Sequence, residues 1–158
     1  PDALQADGAA LALNGAGVRT KFFMDLYVGG LYLKQKQADA EKIIAADEPM
    51  AIRLHIISSL ITSEKMEAAT REGFVNATAG ATAPIASRIE DFISVFREKI
   101  NKEDVYEFVY APGAGTKISK NGKVKTTIQG SDFKKALFGI WLCGKPAQVS
   151  LKEQMLGK

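Results

Sequence analysis

The sequence predicts an α+β fold in which a largely antiparallel sheet carries helices packed on one face. Three observations predict it: strand-like segments come first, helical patterns cluster in the middle, and a hairpin followed by a helix closes the chain. Ala6-Asp7-Gly8 reads as a tight turn leading into a strand from about Ala9 to Asn14. The segment Leu11 to Lys34, LALNGAGVRTKFFMDLYVGGLYLK, continues as one bent strand or as two. Gly15, Gly17, Gly29 and Gly30 puncture it, where a bulge, a sharp bend or close approach of a ligand is expected.

Ala38 to Ala46 reads as a short helix closed by Asp47-Glu48-Pro49, because proline cannot continue a helix and restricts the residue before it. The apolar density of Ala51 to Ser58 marks a buried strand. Thr62 is the expected N-cap of a helix from Ser63 to about Ala79, with Met66, Ala69, Gly73, Phe74 and Ala77 as its apolar stripe. Pro84 suits the first position of the next helix. There Ile85, Ile89, Phe92, Ile93, Phe96 and Ile100 recur at three and four residues, which predicts a stripe packed on the sheet.

Val105 to Tyr110 alternates, with Tyr106, Phe108 and Tyr110 on one face. Asn121-Gly122 then joins Thr116–Lys120 to Lys123–Gln129 as a two-residue hairpin. Lys117, Lys120, Lys123 and Lys125 read as edge protection. Ser131 is the expected cap of a last helix, Asp132 to about Cys143, with Phe133, Leu137, Ile140 and Trp141 inward and Gly144 at its end.

A chain of 158 residues is about one domain, here 1–158, and a composition 46% hydrophobic and 25% charged is that of globular material. No apolar run of about 18 residues exists, so no integral membrane segment is expected. A net charge of +3, with lysines scattered among acids, argues against nucleic acid as partner. The chain opens PDALQADG, as a processed secretory protein or a trimmed chain would. Cys143 is the only cysteine, which excludes a disulfide scaffold within the chain and reads as a small buried hydrophobe. His55 is the only histidine and reads as a satisfied core residue. With one of each, far apart, there is no zinc motif and no case for a Ser-His-Asp or Cys-His arrangement. Metal and cofactor are both expected to be none.

Two motifs are decoys. Gly139-Ile-Trp-Leu-Cys-Gly144-Lys145 has phosphate-loop spacing but Pro146 stands where Ser or Thr must ligate magnesium, and it ends a helix instead of starting one. Gly15-Ala-Gly17-Val-Arg-Thr20 lacks the third glycine of a dinucleotide fingerprint. What remains is Arg19, placed after a paired-glycine turn in an apolar segment. A half-buried arginine is costly unless an anion or several acceptors meet it. Pairing with Asp25 or a backbone carbonyl is one reading; a ligand contact is the other.

GAGVRTKFFMDLYVGGLYL, TSEKMEAATREGF, YAPGAGTKISKNGKV and GSDFKKALFGIWLCGKPAQVSLKEQMLG, in this order, resemble the chalcone isomerase-like proteins, in the bacterial branch. The resemblance covers essentially the whole chain. It implies the chalcone isomerase fold, an open-faced β-sandwich with a ligand cleft between sheet and helices, and a periplasmic mature form. It implies that Arg19 holds the anionic oxygen of a ligand. Fatty-acid-binding plant relatives pair this arginine with a tyrosine, which falls on Tyr27, to hold a carboxylate; guanidinium and phenol are suited to that task. The flavonoid-cyclising enzymes also use a threonine, a lysine, a tyrosine and an asparagine. Those positions fall on Tyr27, Arg53, Lys65 and Glu72, so only the arginine is kept and one cation is substituted.

The expected function is therefore non-catalytic binding of a small amphiphilic carboxylate such as a fatty acid, with Arg19, Tyr27 and Arg53 as ligand-binding residues and no catalytic residue. The alternatives are an intramolecular lyase acting on a chalcone-like phenol, and a structural or interaction protein with Arg19 internally paired. One geometric condition follows. Eight residues of straight strand span about 26 Å at ~3.3 Å each, so the chain must bend or fold back between Arg19 and Tyr27, where the sequence shows no firm turn.

Overall fold

Alternation and turn chemistry draw seven strands into a single sheet. The computed structural model describes residues 2–6 and 8–158; Asp7, at the apex of the expected first turn, lies outside the described residues. Strands β1 (Ala3–Ala6), β2 (Ala9–Lys21), β3 (Met24–Leu33), β4 (Met50–Ile56), β5 (Val105–Ala111), β6 (Gly115–Lys120) and β7 (Lys123–Ile128) lie side by side in chain order. Every neighbouring pair is antiparallel. Helices α1 (Ala40–Ala45), α2 (Ser63–Ala77), α3 (Ala86–Ser94), α4 (Ser131–Leu142) and α5 (Val149–Met155) complete the α+β architecture. Pro84 opens a 3₁₀ turn, Ala83–Ile85, that leads into α3.

The period of two in β4 separates two faces. Met50, Ile52, Leu54 and Ile56 are buried in the main core, against side chains of α2, α3 and α4, while Arg53 and His55 point the other way. A smaller cluster of Leu11, Tyr32 and Ala51, with Leu4, Leu13 and Val109 against it, forms on that outer face. The predicted stripe of α3 packs as expected: Ile85, Ile89, Phe92, Ile93, Phe96 and Ile100 are all buried. The Phe92 ring meets Phe108 of β5 at 5.1 Å, Phe74 of α2 at 5.8 Å and Phe133 of α4 at 6.1 Å between centroids. Burying one such ring contributes roughly 1.5–3 kcal/mol, so this junction is a principal bond between the helices and the sheet.

Thr62 caps α2 by accepting from the Lys65 amide at 3.2 Å, as predicted. Asp39 does the same for α1, accepting from the Glu41 and Lys42 amides. Lys134 of α4 is fully buried, and its ammonium donates to the carbonyls of Ile43 and Ile44 at 2.8 Å and of Ala46 at 2.7 Å. A lysine thereby satisfies the otherwise orphaned carbonyls at the end of α1.

Several expectations differ from the structure. Leu11–Lys34 is two strands, and its turn is made by Phe22 and Phe23, both at positive φ (53° and 64°). Gly15-Ala-Gly17 lies inside β2 and makes no turn. α4 starts one residue early, with Gly130 in the cap position at φ 103° and Ser131 as its first residue. Lys120 is not an edge lysine: it is buried, donating to the Lys99 carbonyl at 3.0 Å and facing Asp104 at 3.7 Å. His55 is not in the core but half-buried on the outer face, 3.3 Å from Glu103, and Cys143 is half-buried at the end of α4. The seven-residue α5 is unanticipated: short and following Pro146, it has too few apolar repeats to stand out by period alone.

Candidate functional site

Arg19 and Tyr27 face each other directly across the β2–β3 ladder. The hairpin turn at Phe22-Phe23 folds the chain back between them, which meets the geometric condition that eight residues of straight strand could not. Next to the pair the register slips, so that Thr20 opposes Asp25 and Leu26 is left over on β3. Both side chains share the helix-facing side of the sheet, since Tyr27 pairs in turn with the core residue Ile56.

Ahead of them on the same face stand Gly15, Gly17 and Gly29, in register with Leu31, Gly29 and Gly17. These glycines form a trough, and α5 lies in it. A Cβ on Gly15 would overlap the Gln154 carbonyl and come within 2.8 Å of the Met155 carbonyl; one on Gly17 would strike the Gln154 side chain. Leu151 sits 3.6 Å from the Cβ position of Gly29. The close approach that the glycines announce is therefore made by the protein's own last helix. Asn14, the extra residue of a second bulge, fixes it there: its amide donates at 2.9 Å to the Met155 and Gln37 carbonyls and accepts from the Gln37 amide.

At the end of this trough the polar groups gather. The Arg19 guanidinium donates to the Thr20 carbonyl at 2.8 Å and to Gln148 Oε1 at 3.1 Å. Gln148, just before α5, is itself held by the Thr20 amide at 2.9 Å and by its donation to the Val18 carbonyl at 2.9 Å. Trp141 of α4 donates from Nε1 to the Tyr27 hydroxyl oxygen at 3.0 Å. Burial pushes the Tyr27 pKa up, against the pull of the Trp141 donor and of the Arg19 charge, so the phenol is neutral and keeps its proton at neutral pH. That oxygen accepts, yet among the described residues its O–H has no acceptor. Asp25 does not pair with Arg19, and no ion pair to this guanidinium forms among the described residues.

Arg53 is not brought to this place. It lies on the outer face of β4, its Nε 3.4 Å from Glu107 of β5, so a ligand held by Arg19 and Tyr27 would not meet it. Lys65 and Glu72 are exposed on α2. Between sheet and helices the aromatic rings pack on one another: Trp141 stacks on Phe108 at 6.1 Å, and Phe108 meets Phe92 at 5.1 Å. Surface hollows form beside Asp47 and Tyr110 and beside Gln37 and Lys158, and neither adjoins Arg19. Among the described residues no group of His, Cys, Asp and Glu could hold a metal ion, and no helix is long and apolar enough to cross a membrane.

The model of one protein family, described as chalcone isomerase-like, matches residues 1–157. The chain belongs to the chalcone isomerase-like family. Comparison with curated proteins gives no match. Among solved structures, a fatty-acid binding protein of Arabidopsis thaliana superposes with a TM-score of 0.80 at 17% identity, covering 99% of this chain and 90% of that one. That likeness shows the chalcone isomerase-like fold. The structure brings together Arg19 and Tyr27, which the sequence points to, with Trp141 and Gln148, which it does not. The helical spacing of Trp141 speaks only for core packing. A buried indole N–H nonetheless needs an acceptor, and that need is the signal that leads to Tyr27. Nothing in the sequence around Gln148 marks it.

Proposed function

We propose that the protein binds a small amphiphilic carboxylate, of the fatty-acid type, without transforming it. The observation that carries this reading is the set of donors at the end of the glycine trough. An arginine without an internal carboxylate and a neutral phenol with its proton unspent stand side by side on one face of the sheet. Gln148 Oε1 supplies Arg19 with the kind of acceptor that a ligand carboxylate would supply more strongly. The fold shared with a plant fatty-acid binding protein supports the reading. The apolar tail would lie along Trp141 and the α4–α5 side of the interior, which must open to admit it. Native mass spectrometry of the purified protein tests this: a retained long-chain carboxylate supports it, and a ligand-free chain that also ignores added fatty acid contradicts it.

The bonds of Gln148 to Arg19, Thr20 and Val18 favour one rival, in which Gln148 is the permanent partner of Arg19 and the contact only fastens α5 to the sheet. Under that reading, fatty acid has no effect on the protein.

A further inference from the structure

The β2–β3 turn is at odds with ordinary hairpin chemistry. Phe22 and Phe23 hold its two central positions at φ 53° and 64°, a left-handed conformation that a Cβ disfavours and that Asn and Gly normally supply. The same molecule builds its β6–β7 turn from Asn121 and Gly122 at φ 52° and 81°, so the fold has the unstrained solution at hand. Both phenylalanine rings also stand in water, Phe22 78% and Phe23 107% exposed. Strain and exposed apolar surface at the same two positions do nothing for folding.

Neighbouring elements add to this end of the molecule. Met24 is partly exposed beside the rings. Val149 is exposed next to Gln148, which is bonded to Thr20. Leu60 is exposed in the loop that follows β4, whose Ile57 amide bonds the Leu26 carbonyl of β3. Lys21 sets its ammonium 5.6 Å from the Phe22 ring centroid, and with Arg19 it outweighs the exposed Asp25, so the end of the hairpin is net positive.

We propose that this end docks on an anionic lipid surface, with Phe22 and Phe23 entering the interfacial layer and Lys21 meeting the headgroups. The size of the feature selects lipid over protein. A stable protein interface takes about 800 Å² from each partner with matched shapes, whereas two rings on a hairpin tip offer a wedge and no face. An interfacial layer accepts such a wedge without shape complementarity, and basic charge beside aromatic residues strengthens the contact with anionic lipid. The docking stands on the turn alone. Its use rests on the proposed carboxylate binding: a docked hairpin brings Arg19, three residues before Phe22, to the surface from which an amphiphile would be drawn.

Flotation with vesicles of phosphatidylcholine and phosphatidylglycerol in equal parts tests the docking with no added ligand. Wild-type protein is expected to float with these vesicles and less with phosphatidylcholine alone. Phe22→Asn/Phe23→Gly should lose binding by roughly tenfold or more. Its thermal midpoint should rise, because Asn-Gly suits this turn, so lost binding cannot be lost folding. Because no fatty acid is added, the flotation reads docking and not carboxylate binding. The proposal is overturned if wild type stays off the vesicles, if the double variant floats equally well, or if ultracentrifugation shows a wild-type dimer that the double variant abolishes, which would assign the tip to a second copy of the chain.

Discussion

The Trp141 indole donates to the Tyr27 hydroxyl oxygen at 3.0 Å, tying α4 to β3 inside the protein. The bond uses the phenol as an acceptor, and so leaves its proton for something else. It also couples the stability of the interior to the group proposed to meet a ligand.

Tyr27→Phe should separate these two roles. The variant leaves the Trp141 N–H buried without an acceptor, at a cost of about 1–3 kcal/mol, which urea unfolding will read. It should also weaken carboxylate binding, by less than the loss of Arg19. A variant as stable as wild type would show that the indole finds another partner.

Gly15→Ala and Gly17→Ala should differ in severity. At Gly15 the new methyl group meets the backbone of α5, which cannot yield without leaving the trough; at Gly17 it meets the Gln154 side chain, whose Oε1 can swing aside but whose Cβ, 2.8 Å away, moves only with α5. We expect Gly15→Ala to destabilise by about 2 kcal/mol or more and to speed hydrogen exchange in 149–155, with Gly17→Ala destabilising in the same way but less. Equal effects would contradict the helix-in-trough packing.

Lys134 predicts a pH dependence. Burial lowers its pKa from 10.5 to about 8. Between those values the unfolded chain binds more protons than the folded one, so stability rises with pH across this window. The gain is about 2 kcal/mol between roughly pH 7 and pH 10. Above about pH 10 the trend reverses, because burial raises the pKa values of Tyr106 and Tyr110, the latter to about 12, and the folded state resists their ionisation. Lys134→Met should remove the rise while lowering stability at neutral pH, since the α1 carbonyls lose their donor. Urea midpoints of both proteins across this range check it.

The sheet was largely legible because its signals are local. Apolar density marked β4, alternation marked β5, Asn121-Gly122 marked the last hairpin, and the spacing of Ile85, Ile89, Phe92 and Phe96 marked the face of α3. Phe22-Phe23 hid its turn because the residues there oppose the conformation they adopt, and no local rule finds a turn against its own propensity. The GAG glycines signalled close approach correctly, but the sequence could not say what approaches. The partner is α5, nearly 140 residues later and without a strong period of its own. Arg19 stood out as a cation in an apolar segment and Tyr27 came from family resemblance, and only the register between strands put them face to face. Arg53 failed as their companion for the same physical reason: on a strand, one step of parity decides the face.

Gln148→Ala offers a test of the acceptor now on Arg19. Removing that oxygen should leave carboxylate affinity unchanged or raise it several-fold, while costing about 1 kcal/mol in the attachment of α5. A marked loss of affinity would mean that Gln148 itself holds the ligand.

Calorimetric titration of one long-chain fatty acid and the alcohol of equal length into wild type and Arg19→Ala decides whether Arg19 anchors a carboxylate. Wild type is expected to prefer the acid, and Arg19→Ala to lose about 1.5–3 kcal/mol of affinity for the acid and almost none for the alcohol. Equal binding of acid and alcohol by wild type, or no binding of either, would contradict that role and leave Arg19 as a fastening for α5.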